Sequence, residues 1–214
     1  MATFKSVIFD LDGTIADTLP LCITAFKKSI EPLLGNEITE EEIIATFGPS
    51  EEGTIRKLIP LYEAKGVQAY LNNYEQLHHT CPDAFPGIIE LLDALQAKGV
   101  HLAMVTGKGM HSTRISLKQF GLNKYFTIVE TGSPDGPNKV NGIRAALNRL
   151  NISAEEAIYV GDAPSDILYC KEIGIPIASA AWATTANPEA LKKLNPDWIF
   201  YTVKDFSEWI ADRT

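Results

Sequence analysis

The fragment at residues 10–14 (DLDGT) follows a short apolar run at 6–9 and places two carboxylates close together. Asp10 and Asp12 stand two residues apart just past a buried strand, where they would repel each other and lose solvation. That arrangement is unfavourable unless a cation or a chemical task compensates for it. Gly13 permits a sharp turn at this point. The alternative is a strand-end turn with solvated aspartates and a helix N-cap at Thr14.

A second acidic fragment, residues 161–166 (GDAPSD), also follows an apolar run. Asp162 and Asp166 are four residues apart, which is about one helical turn, so both side chains can face the same point. The alternative is an ordinary helix N-terminus, where aspartate is common because it interacts favourably with the helix dipole. Taken alone, this fragment does not decide between the two.

Two further fragments carry groups that suit phosphate oxygens. Thr106 and Gly107 follow an apolar run, and Lys139 opens a helical pattern after the next one. A hydroxyl and free backbone N–H groups at a strand end can bind an anion. Taken singly, Thr106 could be a helix cap and Lys139 a surface charge.

Taken together, the four fragments imply a divalent cation. Four ionised carboxylates and one lysine would sum to roughly −3, which is no environment for a phosphate group. A hard cation would remove this conflict, and oxygen ligands with retained waters favour Mg²⁺ over softer metals. We therefore expect Mg²⁺ to bind where these fragments meet.

Short apolar runs alternate with helical patterns along most of the chain. The runs predict strands at 6–9, 100–105, 126–129, 157–160, 175–178 and 198–201. Residues 87–98 and 140–150 have apolar residues at three- and four-residue spacing, which indicates amphipathic helices. This alternation predicts an α/β fold with a doubly wound parallel sheet. Ligands bind beyond the carboxyl ends of such strands, where the polar fragments lie.

One interval interrupts the alternation. About ninety residues separate Asp10 from the run at 100–105, far more than the dozen or so that a βαβ crossover needs. Residues 17–81 are predicted to be helical, with helices near 18–34, 39–47, 55–62 and 68–79. We interpret them as an inserted helical cap domain, which leaves 1–16 and 82–214 as the catalytic core.

Composition narrows the partners and the compartment. The chain has 214 residues, a net charge of −8 and no long run of Lys or Arg, so a nucleic-acid partner would be repelled over most of the surface. No segment approaches the ~18 apolar residues of a membrane-spanning helix. The three cysteines are scattered, which indicates neither a disulfide framework nor a zinc site. We expect a cytoplasmic protein.

The four fragments and their order resemble the haloacid dehalogenase superfamily of phosphohydrolases. The similarity is to the branch with a helical cap between the first two motifs, which includes phosphoglycolate phosphatases and cytoplasmic inorganic pyrophosphatases. Residues 47–50 (FGPS) and 85–87 (FPG) also match that branch. The resemblance implies a Rossmann-like core. One departure is Val140, which stands where the family usually has a proline after the third-motif lysine; Lys108 and Lys124 are the alternatives to Lys139.

The resemblance implies a phosphatase mechanism with an aspartyl-phosphate intermediate. Asp10 would attack phosphorus, and Asp12 would protonate the leaving oxygen and later activate water. The remaining roles are those of the metal and phosphate ligands. The metal would be held by Asp10, the backbone carbonyl of Asp12 and Asp162, with Asp166 either a further ligand or a residue just behind the ligands. The phosphoryl group would be held by Thr106, Gly107 and Lys139.

The substrate class stays open between a small phosphate monoester of the phosphoglycolate kind and inorganic pyrophosphate. A phosphomutase on the same scaffold is a further alternative. A phospho-receiver domain, the main non-enzymatic alternative, is disfavoured because its phosphorylated aspartate follows a later strand. Ser50 and Arg56 are the candidate substrate contacts from the cap. The adjacent pair His78 and His79 is expected to be solvated cap surface rather than a metal site.

Overall fold

The computed structural model describes residues 3–214 and contains one parallel six-stranded sheet. The strand order is β3-β2-β1-β4-β5-β6, and every neighbouring pair is parallel. The α/β fold class with a doubly wound parallel sheet is therefore confirmed. The strands are β1 (Ser6–Phe9), β2 (His101–Val105), β3 (Ile128–Glu130), β4 (Ala157–Gly161), β5 (Ile177–Ala180) and β6 (Trp198–Phe200).

Helices connect the strands and cover both faces of the sheet. Four of them lie between β1 and the helix that leads into β2: α1 (Leu19–Leu34), α2 (Glu40–Ile44), α3 (Glu51–Leu58) and α4 (Glu63–Leu77). The others are α5 (Ile88–Ala97), α6 (Met110–Gln119), α7 (Lys139–Leu150), α8 (Pro164–Ile173), α9 (Pro188–Lys193) and α10 (Val203–Ala211). Single 3₁₀ turns occupy Pro60–Tyr62, His78–Thr80 and Ala154–Glu156.

Successive residues of the buried strands face opposite layers of helices. In β1, Val7 and Phe9 belong to the cluster under α5 and α10, whereas Ile8 belongs to the cluster under α7 and α8. Burial on both faces explains why the strands appear in the sequence as continuous apolar runs. The predicted strand at 175–178 begins two residues later, because Pro176 has no N–H to donate to a sheet ladder.

The four helices after β1 have an apolar cluster of their own. Phe26 and Tyr70 lie at its centre, with ring centroids 4.5 Å apart. This cluster is separate from the two that flank the sheet. We propose that these helices form the cap predicted over residues 17–81.

The stretch from α1 to the turn at His78–Thr80, called the helical segment below, packs against α6. The Tyr74 hydroxyl lies 2.8 Å from the Ser116 Oγ, and the His78 Nε2 lies 3.1 Å from the same atom. The expectation that His78 is solvated surface is wrong: it is buried between Tyr74 and Phe120, while His79 is exposed. Adjacent helical residues point in different directions, so one packs and the other is hydrated.

Within residues 3–214, none of the helices is both long enough and apolar enough to cross a membrane.

Candidate active site

Three polar residues lie at the carboxyl ends of three neighbouring strands. Asp10 comes directly after β1, Thr106 after β2 and Asp162 after β4. Because β1 lies between β2 and β4 and all three are parallel, their carboxyl ends meet there. Asp10 continues the ladder by donating its N–H to the Val160 carbonyl at 2.9 Å. The strand ends thus place the three side chains together.

Lys139, the first residue of α7, extends its side chain to the carboxyl ends of these strands. Its Nζ atom lies 2.6 Å from the Asp10 Oδ2 and 2.6 Å from the Asp166 Oδ1. Burial raises the pKa of Asp10, while the Lys139 ammonium opposes that rise. Burial acts to lower the pKa of Lys139, but Asp10 and Asp166 outweigh it and hold this pKa well above its usual value. The lysine is therefore charged and positioned beside both carboxylates.

Asp10, Asp162 and Asp166 each offer a carboxylate oxygen within 4.8 Å of the others. Burial raises the pKa of Asp162 well above its usual value, and the charges of Asp10 and Asp166 raise it further. A divalent cation would remove this cost, and three carboxylate oxygens are a donor set that Mg²⁺ accepts. The residues present therefore fit the predicted metal.

Two glycines leave room for the carboxylates of Asp162 and Asp166 to lie close to the backbone. Gly13 has φ +72°, and a Cβ there would lie 2.2 Å from the Asp162 Oδ2. A Cβ on Gly161 would lie 2.4 Å from the Asp166 Oδ2. Any larger residue at either position would push a carboxylate away from the cluster. These glycines are therefore part of the geometry of the acidic site.

Asp12 lies beside the cluster in a different environment. Its Oδ1 accepts a short hydrogen bond from the Thr18 hydroxyl and lies 3.4 Å from the Lys108 Nζ. Burial raises the pKa of Asp12, although Lys108 and the Thr18 hydroxyl oppose the rise. Asp10 and Asp12 thus both have raised pKa values but contact different lysines, Lys139 and Lys108.

Lys108 connects Asp12 to the helical segment. Its Nζ lies 3.1 Å from the Glu51 Oε1 and 3.1 Å from the Cys22 Sγ, and its side chain is 1% exposed. The Glu51 carboxylate, at the start of α3, also accepts hydrogen bonds from the Gly109 N–H and the Ser112 hydroxyl. A glutamate of the helical segment is thus bonded to the N-terminus of α6.

The structure brings together the predicted catalytic, phosphate-binding and metal-binding residues of the core. Thr106 is buried, and its Oγ1 accepts a hydrogen bond from the Lys108 N–H at 3.2 Å. Thr106, Gly107 and Lys139 line the same cavity as Asp10, Asp12 and Asp162. Of the two alternatives to Lys139, Lys108 contacts Asp12 rather than Asp10. The other, Lys124, is exposed and lies over the Tyr125 ring.

The two candidate substrate contacts from the cap do not face this cavity. Arg56 is bonded to Glu63 at 3.0 Å and to Asp135 at 3.2 Å on the exposed surface. Ser50 is buried, and its hydroxyl donates to Glu52. The structure therefore does not support either contact.

The cavity above Asp10 has a volume of about 290 Å³ and lies between the strand ends and the helical segment. Its lining includes four side chains that sequence reasoning missed: Cys22, Phe47, Glu51 and Tyr70. Phe47 stands in the FGPS fragment that was recognised as a motif, so a signal for it existed. Glu51 had no such signal, because with Glu52 it resembles an ordinary solvated helix start.

Comparisons with known proteins agree with this architecture. The pyrophosphatase PpaX of Listeria monocytogenes is 31% identical over 215 residues, which cover 97% of this chain and 96% of that protein. A haloacid dehalogenase-like hydrolase of Streptococcus pneumoniae has a TM-score of 0.78 at 26% identity, covering 96% and 98% of the two chains. A predicted phosphoglycolate phosphatase of Haemophilus somnus has a TM-score of 0.76 and covers 98% and 99%, but at 19% identity it shows the shared fold alone.

The family model described as haloacid dehalogenase-like hydrolase matches residues 7–180. This span begins in β1, before the DLDGT fragment, and ends with β5, so it contains all four fragments and the helical segment. The chain belongs to the haloacid dehalogenase-like hydrolases.

Proposed function

We propose that this hydrolase is a Mg²⁺-dependent phosphatase that acts on a small phosphate monoester through an aspartyl-phosphate on Asp10. The observation that carries the proposal is the position of Lys139. Its ammonium lies 2.6 Å from oxygens of Asp10 and Asp166, at the strand edge where Thr106 and Asp162 also lie. A buried carboxylate, a fixed cation and a hydroxyl in one cavity can attack and bind a phosphoryl group.

In the first step, an oxygen of Asp10 forms a bond to phosphorus while the bond to the leaving oxygen breaks. Asp12 donates its proton to that oxygen, so the product leaves as a neutral alcohol. The raised pKa of Asp12, caused by burial, supports this role because it favours the protonated acid. The Leu11 N–H donates to the Asp10 Oδ1 at 2.7 Å, and this bond helps to fix the carboxylate for attack.

In the second step, water hydrolyses the aspartyl-phosphate. Asp12 is now ionised and accepts a proton from the water as the water oxygen bonds to phosphorus. The bond between phosphorus and Asp10 breaks, which returns the Asp10 carboxylate and releases inorganic phosphate. One residue thus serves as acid and then as base, as reversibility of the proton transfer requires.

The charge of the phosphoryl group is offset by groups on the core. Asp10, the backbone carbonyl of Asp12, Asp162 and Asp166 would hold Mg²⁺, which when bound neutralises part of the phosphate charge. Lys139 and the Thr106 hydroxyl would bind phosphoryl oxygens and stabilise the charge that develops on them. The helical segment covers the cavity and would keep bulk water from the reacting groups.

The names of the similar proteins refer to two substrates. A structural neighbour is called a phosphoglycolate phosphatase, and the PpaX relative is called a pyrophosphatase. The same residues could cleave either compound or transfer the phosphoryl group in a phosphomutase reaction. Phosphoglycolate-like esters and pyrophosphate therefore belong in the first substrate panel.

The test measures inorganic phosphate released from a panel of phosphate esters and pyrophosphate, with and without Mg²⁺, and the mass of the intact protein during turnover. We expect Mg²⁺-dependent release and a transient phosphorylated protein. The Asp10→Asn variant is the control, and it should show neither. Full activity without a divalent cation, or turnover by Asp10→Asn at the wild-type rate, would refute the proposal.

A further inference from the structure

We propose that the substrate is a phosphate monoester whose alcohol part is uncharged and mainly apolar, such as a short alkyl or aryl phosphate. This inference rests on the proposed phosphatase function and specifies its substrate class. It predicts discrimination against phosphoglycolate and pyrophosphate, because both carry a second anionic group. The argument depends on what the helical segment contributes to the cavity above Asp10.

The helical segment presents an apolar wall to that cavity. The alcohol part of a bound ester would lie against this wall, because the proposed phosphate site is at the strand ends on the opposite side of the cavity. A carboxylate or second phosphate there would lose part of its hydration without gaining a partner, which is unfavourable. The apolar side chains of the wall are Leu19, Phe26, Ile44, Phe47, Pro49 and Tyr70.

The wall offers no cation for an anionic group. Glu51 is the one charged residue that lines the cavity from residues 17–81, and its sign is negative. The five Lys and Arg residues of the same stretch lie outside the lining. Among them, Arg56 is bonded to Glu63 and Asp135, and the Lys57 Nζ donates to the Thr46 carbonyl at 3.3 Å.

Glu51 is not available for a cationic alcohol part. Lys108 neutralises its charge at 3.1 Å, and its oxygens also accept from the Gly109 N–H and the Ser112 and Tyr70 hydroxyls. The Glu51 carboxylate is therefore already paired with groups of the protein. An uncharged alcohol part is therefore the one that the wall fits.

The two lysines of the core that line the cavity also have carboxylate partners already. Lys139 contacts Asp10 and Asp166, and Lys108 contacts Asp12 and Glu51. Four carboxylates line the cavity against these two ammonium groups. A volume of about 290 Å³ lies at the lower end of typical ligand pockets, which suits a phosphate with a small alcohol part.

The experiment compares kcat/KM for substrates matched in shape. Isobutyl phosphate has the branched shape of phosphoglycolate without its carboxylate, and 4-isopropylphenyl phosphate is in the same way the uncharged counterpart of 4-carboxyphenyl phosphate. We expect the neutral member of each pair to be preferred by about tenfold or more. Pyrophosphate and phosphorylcholine, a cationic ester, should be poorer than isobutyl phosphate.

Variants of the wall provide the second readout. Phe47 and Ile44 line the cavity but are 40% and 46% exposed, so we expect either position to accept arginine without loss of the fold. Phe47→Arg or Ile44→Arg should reduce the preference for isobutyl phosphate over phosphoglycolate by about tenfold, because each supplies the missing cation. Leu61→Arg is the matched control: Leu61 is 90% exposed and outside the cavity lining, and the preference should not change.

The two proposals fail in different ways. Mg²⁺-dependent turnover in which phosphoglycolate, pyrophosphate or phosphorylcholine equals or exceeds the neutral esters would overturn the substrate class and leave the phosphatase intact. An unchanged preference in both correctly folded arginine variants would also overturn it. Absence of phosphate release from every compound would refute the phosphatase function itself.

Discussion

The Lys108 Nζ and the Glu51 Oε1 lie 3.1 Å apart and join the loop after β2 to the first residue of α3. The side chains are 1% and 10% exposed, so both charges are removed from water. Removing one partner of such a buried pair strongly destabilises the folded protein, because the other charge is left buried without a partner. The pair therefore links the stability of the helical segment to that of the sheet.

We expect Lys108→Met to lower the free energy of unfolding by about 3–5 kcal/mol. The double variant Lys108→Met/Glu51→Gln should lose less than the two single variants together, by about 1–3 kcal/mol. Urea unfolding of all four proteins gives this coupling. The pair Arg144 and Glu172, 3.2 Å apart and half exposed, is the control and should couple by about 1 kcal/mol or less. Equal coupling in both pairs would contradict the prediction.

The same pair predicts a pH dependence of stability. Burial acts to raise the pKa of Glu51, but Lys108 and the Ser112 hydroxyl outweigh it and hold the pKa below its usual value. A lowered pKa stabilises the folded protein above the unfolded value and loses this effect as the pH falls through the folded value. The stability difference between wild type and Glu51→Gln should be largest above about pH 5 and should shrink below about pH 4. Unfolding measured across this range checks it; a constant difference would be inconsistent with the shift.

Much of the site could be predicted because it depends on local patterns. Apolar runs mark the strands, and parallel strands bring their carboxyl ends to one side of the sheet, so the sequence alone predicts that Asp10, Thr106 and Asp162 lie together. Lys139 was also predicted, although Val140 replaces the usual proline. Its side chain reaches Asp10 across 129 positions of sequence, from the first residue of α7 to the residue that follows β1.

Other features depend on packing between distant helices, which one sequence does not reveal. Glu51 bonds to Gly109 across 58 positions, and its acidic surroundings at 51–52 resemble a solvated helix start. His78 is buried against Phe120 of the core rather than hydrated like His79. Arg56, which is near the FGPS fragment in sequence, faces away from the cavity because Glu63 and Asp135 hold it on the surface.

We expect phosphatase activity to require Mg²⁺ and to be inhibited by Ca²⁺. Ca²⁺ takes more oxygen ligands at longer distances, and it would shift the Asp10 oxygen relative to phosphorus. Activity should disappear in chelator, return with Mg²⁺ and fall when Ca²⁺ is added to the Mg²⁺ enzyme. Thermal unfolding with each ion provides a second readout, because a bound ion stabilises the folded state. Equal activity with both ions would rule out this account of the site.

Asp10→Asn should abolish turnover, because the amide keeps the shape of the side chain and removes the nucleophile. Phosphate release should fall to the background rate, and intact-mass measurements should detect no phosphorylated protein. Asp135→Asn is a suitable control, since Asp135 is exposed and outside the cavity lining, and it should retain activity. Phosphorylated protein in the Asp10→Asn sample would place the nucleophile elsewhere.

Asp12→Asn should separate the two chemical steps through the leaving group. The variant keeps the backbone carbonyl of Asp12 but has neither a proton to donate nor a base for the second step. Phenyl phosphate, whose oxygen leaves without much protonation, should still phosphorylate Asp10, and the protein should then stall as the phospho-enzyme. Isobutyl phosphate, whose oxygen needs a proton to leave, should barely react. Single-turnover kinetics with both esters, together with intact-mass detection of the phospho-enzyme, measure the two steps separately. If both esters lose the same factor in the first step, Asp12 is not the general acid, and the acid must be sought among the other groups that line the cavity.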